Sequence, residues 1–149
     1  MITLRPAEPR DTAAIGRLFS MSRRLLTFLP ELHTPEEDLA FIAGEIIPRY
    51  RITVALRDGV LAGYMAEGPQ WIEQLYLLPD ARRSGLGSTL LRDAQSRQDR
   101  LELWCFAQNA PARAFYEKHG FVPLYETDGA GNEAGAPDVR YRWDRSGGT

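Results

Sequence analysis

Two spacings of apolar residues take turns along the chain. "ITLRPA" alternates weakly, which predicts a short first strand. Ile15, Leu18, Phe19, Leu25, Leu26 and Leu29 then fall at helical spacing, with Asp11 as N-cap, an interruption near Ser22 and Pro30 at the end. A second helix opens on a capping box, Thr34 with Glu37, and has Pro35 at its first position. Leu39, Ile42, Ile46 and Ile47 form its apolar side, and Pro48 stops it. The period then falls to two. "RITVALR" places Ile52, Val54 and Leu56 on one face, Asp58-Gly59 makes a hairpin turn, and "VLAGYMA" returns. "WIEQLYLL" is apolar on both faces, the pattern of a central strand. Leu86, Leu90, Leu91 and Ala94 share one side of the helix after it, and "RLELWCFA" is another strand. Asn109 caps a helix through Ala112, Phe115, Tyr116 and His119, which Gly120 closes. "FVPLYE" and "DVRYRW" are expected to pair as a last hairpin.

The order is therefore β-α-α-β-β-β-α-β-α-β-β, an α/β protein with a mixed sheet flanked by helices. The unit from Trp71 to Phe106 is expected to be a parallel, right-handed crossover. The length of 149 residues suits one domain, assigned to 1–145, with 146–149 as a disordered tail. The segment 126–138, "ETDGAGNEAGAPD", reads as a mobile loop.

Composition narrows the partners. The net charge is −2 with both signs mixed along the chain, which argues against a protein held on nucleic acid by phosphate contacts. No apolar run is long enough to span a membrane, and "MITLRPAEPRD" has no signal-peptide core. A lone cysteine, Cys105, rules out an internal disulfide framework and fits a reducing compartment, so the cytoplasm is the expected location.

Candidate chemistry concentrates in "DARRSGLGSTLL" (80–91), between a strand and a helix. A helix N-terminus exposes unpaired N–H groups and the positive end of the macrodipole. Gly85 and Gly87 let a ligand approach the backbone, Arg82 and Arg83 add phosphate-binding donors, and Ser84 and Ser88 add hydroxyls. Together they suit a diphosphate; two glycines alone would favour a plain tight strand-to-helix turn. A P-loop would need Gly-Lys-Ser/Thr, which does not occur, and a Rossmann fingerprint would need a small residue where Leu90 stands.

A second stretch, "NAPARAFYEKHGF" (109–121), carries Asn109, Ala112, Phe115, Tyr116, Gly120 and Phe121. Together the two stretches resemble the signature motifs of the GNAT superfamily of acyl-CoA-dependent N-acetyltransferases. Arg82, Gly85 and Gly87 match the Arg/Gln-x-x-Gly-x-Gly/Ala pattern, and Asn109 through Phe121 match the second motif. The resemblance runs from "ITLRPA" to "VRYRW". It implies acetyl-CoA as co-substrate, with no metal. The backbone of Leu75, Tyr76 and Leu77 would bond the pantetheine arm like an added strand. The N–H groups from Arg83 to Ser88, Leu86 included, would seat the pyrophosphate, and Asn109, Ala112 and Phe115 would line the coenzyme. Direct transfer to an amine then needs donors for a developing oxyanion and a proton donor for the leaving thiolate. Tyr116 matches the family's usual general acid.

The base is less well marked. Glu73 is expected to share a strand face with Leu75 and Leu77 near the thioester; it could equally be a solvated carboxylate at a strand start. The position where some relatives carry a glutamate is here Trp104, with Glu102 nearby. His33 and Trp104 are candidates for the acceptor pocket, His33 also reading as an exposed loop residue and Trp104 as core packing. Cys105 reads as a buried, inert thiol, and Arg23 and Arg24 as helix-end charges. The expected acceptor is a small-molecule amine or a protein or peptide amino group; a homodimer is among the expected assemblies because relatives often dimerise. A binding module of the same fold, holding acyl-CoA without turnover, is the alternative.

Overall fold

A computed structural model describes residues 1–145, so the tail expected at 146–149 lies outside the described residues. The elements follow the expected order: β1 (Ile2–Pro6), α1 (Thr12–Leu25), α2 (Pro35–Phe41), β2 (Arg51–Arg57), β3 (Val60–Gly68), β4 (Trp71–Leu77), α3 (Leu86–Arg97), β5 (Arg100–Phe106), α4 (Ala110–Lys118), β6 (Val122–Thr127) and β7 (Asp138–Asp144). Among the described residues the strands form one sheet in the order β1-β2-β3-β4-β5-β7-β6. Among the described residues only β4 and β5 run parallel. The strand with apolar residues on both faces, β4, is the central one. Asp58 and Gly59 have φ of 52° and 83°, the left-handed pair that a two-residue hairpin turn requires.

Each face of the sheet carries its own core. On one side Ile15, Leu18, Ile42 and Ile46 pack onto Val54, Tyr64 and Ala66. On the other, Leu86, Leu90, Leu91 and Ala94 of α3 pack onto Met65, Leu101 and Leu103, and α4 adds Phe115 and Tyr116 at the edge. Burying each of these large side chains contributes roughly 1.5–3 kcal/mol, which fixes both helix pairs to the sheet.

Four local expectations need correction. Asp11 does not cap α1 with its side chain; the carboxylate accepts from Glu8 N–H at 2.8 Å and from Arg5 at 2.7 and 3.1 Å. That bidentate pair holds the Asp11 carboxyl below its ordinary range, against the opposing effect of burial. Helix α1 has no break at Ser22 and ends at Leu25, before Pro30. Its last turn tightens (Leu26 N–H to Arg23 C=O, 3.2 Å), and the chain bends so that Leu29 still reaches a buried position. Helix α2 is shorter than its apolar spacing suggests. From Ile42 to Ile46 the backbone widens into a π turn, closed by Ile47 N–H on Ile42 C=O at 3.0 Å. The wider turn puts Ile42 and Ile46 in the core and leaves Leu39 exposed. The capping box of Thr34 and Glu37 forms as expected. Finally, 128–137 is a loop tied internally: Asn132 donates to Ala136 C=O at 2.8 Å and to Asp138 at 3.1 Å.

Candidate active site

The sheet opens where β4 and β5 meet. Their ladder has one register pair, Trp71 with Glu102, supported by Glu102 N–H on Gln70 C=O at 3.0 Å. Beyond it β5 stays bound along its length to β7, and β4 to β3 as far as Leu77 opposite Gly63. A wedge-shaped gap results, edged by alternate backbone groups of β4 that have no sheet partner on that side. Two causes act together. Seven register pairs hold β5 to β7 from Arg100 to Phe106. In β4, an extra residue interrupts the pairing with β3: Ala66 faces Gln74 and Glu67 faces Ile72, so Glu73 is bulged. A bulge bends and twists its strand, and the β4–β5 pairing ends just before this one.

Leu75, Tyr76 and Leu77 line the gap. Leu75 and Leu77 turn toward α3 and α4, whereas Tyr76 lies on the α1 side, its ring 5.8 Å from Phe19 and 6.0 Å from Tyr64. The end of β4 leads to the α3 N-terminus. Gly85 caps that helix at φ 84°, and a Cβ built there would meet nothing within 4 Å. The N–H groups of Leu86, Gly87 and Ser88 open the helix and have no intrahelical partners. Arg82 and Arg83 are exposed beside them, and Arg83 itself has φ 70°. Two expectations are refined. The Ser84 N–H is taken by Ala81 C=O at 3.3 Å and its hydroxyl turns to the same oxygen, so Ser84 serves the turn. The missing Cβ of Gly87 would sit 3.1 Å from Leu77 and 3.3 Å from Phe115, so Gly87 allows α3, β4 and α4 to meet closely. Gly85 alone leaves its open side to a ligand. This arrangement fits an extended chain ending in a diphosphate.

Asn109 caps α4, accepting from Ala112 N–H at 3.3 Å, which leaves its amide NH2 for other use. One turn later Phe115 packs on His119 and on Tyr116, at 4.6 and 5.3 Å between ring centroids. Tyr116 also meets Phe121 at 5.6 Å and Tyr141 at 6.3 Å. Its hydroxyl makes no hydrogen bond among the described residues. Burial raises Tyr116 well above its ordinary value, helped by Cys105 and by Tyr76 across the gap. Burial likewise pushes the Cys105 thiol up to about 12, so it is neither a thiolate nor a nucleophile near neutral pH.

The acid–base candidates separate in space. Because of the bulge, Glu73 does not share the buried face of Leu75 and Leu77. Its side chain is exposed and accepts from Trp71 Nε1 at 2.8 Å. Glu102 is tied by Arg140 at 2.8 Å and Arg142 at 3.1 Å. Burial raises its pKa, and the two arginines outweigh that, leaving the carboxyl below its ordinary value. Glu102 is therefore a structural anion. Trp104 is half exposed and is not core; it meets the Tyr125 ring edge-on at 5.9 Å and holds the Arg140 guanidinium at 5.1 Å. His33 is exposed, and its Nε2 contacts Glu133 of the 128–137 loop. That contact joins the α1–α2 connection to the β6–β7 connection.

Some residues here escape a motif reading. Arg23 holds its guanidinium 5.5 Å from the Phe106 ring centroid, and Phe28 meets the same ring at 5.8 Å. Arg23 was legible in principle: it follows Phe19 by four residues, on the sheet-facing stripe of α1. Tyr50 is raised by burial and by the nearby Glu73 carboxylate, which places it at the bulge.

The fold, with its split between β4 and β5, is that of the GNAT acetyltransferase family. The chain belongs to this family: the GNAT acetyltransferase domain model matches residues 48–123. It is 30% identical to L-amino acid N-acetyltransferase AaaT of Escherichia coli, over 89% of this chain and 87% of that protein. It is 39% identical to mycothiol acetyltransferase of Mycolicibacterium vanbaalenii over 44% of this chain, which spans only 24% of that relative. Among solved structures, apo YjaB of E. coli superposes with a TM-score of 0.80 at 21% identity, over 96% of this chain and 97% of that one. The yncA protein of Salmonella typhimurium, solved with its cofactor acetyl-CoA, gives 0.73 at 19% identity, over 97% and 94%.

Proposed function

We propose that this protein transfers the acetyl group of acetyl-CoA to the primary amine of a small molecule. The observation that carries the reading is the β4–β5 gap, whose β4 side leads to the N-terminus of α3 and which has Tyr116 beside it. Acetyl-CoA supplies an activated acyl group as a thioester. The β4 backbone at Leu75–Leu77 binds its arm, the N–H groups of Leu86, Gly87 and Ser88 hold its diphosphate, and Arg82 and Arg83 add charge. Asn109 offers its amide NH2 to the arm.

Tyr116 keeps its proton throughout the neutral range because its pKa is raised. It is also a weaker acid than a thiol, whose ordinary value is about 8.5. Its hydroxyl therefore acts first as a hydrogen-bond donor to the sulfur. Glu73 takes the ammonium proton from the acceptor, directly or through water; exposure at the bulge keeps it accessible. A small acceptor is supported by the relative named for L-amino acids, which this chain matches over most of its length.

The test is release of coenzyme A from acetyl-CoA over a panel of amines, run with the wild type and Glu73→Gln. Turnover on at least one small amine is expected, with the Glu73→Gln rate reduced most at low pH. Tight acetyl-CoA binding without turnover on any amine would instead make the protein an acyl-CoA-binding module.

A further inference from the structure

The mouth of the gap on the α1 side carries a positive charge with no carboxylate partner among the described residues. Half-buried arginines elsewhere are matched: Arg5 with Asp11, Arg24 with Asp38, Arg97 with Glu67 and Arg140 with Glu102. Arg113 donates to the Tyr141 hydroxyl at 2.9 Å. Arg23 is half-buried and has no carboxylate within ion-pair distance among the described residues. A partly desolvated guanidinium without a carboxylate is costly unless something completes its set of five donors.

Its position is specific. The guanidinium lies over the ring of Phe106, the last residue of β5, at 5.5 Å. It also lies close enough to Tyr76 of β4 to pull that phenol's pKa down, against the stronger upward effect of burial. Arg23 thus bridges the open ends of the two diverging strands. Tyr116 approaches the same gap from the α4 side. The hydroxyl of Ser22, the preceding residue, is buried and has no hydrogen-bond partner.

We infer that Arg23 receives a carboxylate of the acceptor, so that the preferred substrate is an amino acid or a related amine bearing a carboxylate. The planar guanidinium suits a carboxylate through two parallel hydrogen bonds, and the Phe28–Phe106 pair gives the guanidinium a fixed apolar backing. The other end of such an acceptor points its amine into the gap. This inference rests on the proposed transfer reaction.

The experiment compares each amino acid with its carboxamide in wild type, Arg23→Gln and Arg23→Lys. The wild type is expected to prefer the amino acid by about 10- to 100-fold in kcat/KM, the range of a charged hydrogen-bonded pair. In Arg23→Gln the preference should fall to near parity, and Arg23→Lys should restore part of it. Binding of the same amino acids to protein saturated with coenzyme A, measured by calorimetry, gives a readout independent of turnover. Equal use of amino acid and carboxamide by the wild type, or a preference that survives in Arg23→Gln, would overturn the assignment. So would the absence of amino-acid binding. Arg23-dependent binding without acetylation of any amine would leave this assignment standing and defeat the transfer reaction instead.

Discussion

In the proposed transfer, the burial of Tyr116 works against simple acid catalysis and in favour of a lasting donor. A raised pKa means that the hydroxyl is protonated below its shifted value and loses its proton only above it. The kcat–pH profile should therefore rise as the acceptor amine deprotonates and show no falling limb below about pH 10, the ordinary tyrosine value. Tyr116→Phe should lower kcat by about 100-fold, the lower end for a positioned acid, and change acetyl-CoA affinity far less. Steady-state kinetics and a binding titration check both; unchanged turnover would remove Tyr116 from the chemistry. Gly85 and Asn109 could be placed at helix starts from the sequence because each sits in a short stretch with turn or cap chemistry, whereas Tyr116 stood out only through the motif resemblance. The stripe of α1 could mark Arg23 as sheet-facing, but its pairing with Phe106 could not be read, because the fold brings the two together from distant parts of the chain. Glu73 was misread in its facing because one extra residue in β4 breaks the period of two.

At the scale of elements, strand–helix order followed from apolar spacing because each element buries one consistent stripe or face. The exceptions are register changes of a single residue, among them the π turn at Ile42–Ile46 and the bulge at Glu73, with further shifts in the β2–β3 and β6–β7 pairings. None alters composition, so none leaves a signal in the pattern. The turn into α3 makes the sharpest prediction here. Gly85 has φ 84° and open space where a Cβ would lie. Gly85→Ala should therefore cost about 1 kcal/mol of stability through backbone strain alone. Acetyl-CoA affinity should fall by more than that cost, because the N–H groups of the first turn are re-aimed. Denaturant unfolding and a binding titration separate the two effects; unchanged affinity would place the diphosphate elsewhere.

Across the whole molecule, two cores grip opposite faces of a sheet that is split along its middle. The helices hold the halves together from both sides, α1 at Tyr76 and α4 through Phe115 and Tyr116. A ligand laid in the split would bridge β4 to α3 and α4 and stabilise the fold as one unit. At a coenzyme A concentration of 100 times its dissociation constant, linkage adds about 2.7 kcal/mol. For a domain of this size that is a rise of roughly 5–10 °C in Tm. A calorimetric scan with and without coenzyme A reads it directly, and no shift would argue against the gap as a coenzyme site.

The most direct test of the account is mass-spectrometric detection of the acetylated product with acetyl-CoA and a small amine, beside Tyr116→Phe. Acetyl-CoA-dependent product should form with the wild type and drop by about 100-fold in the variant. Acetyl-CoA bound in the gap with no amine acetylated by the wild type would contradict the central claim.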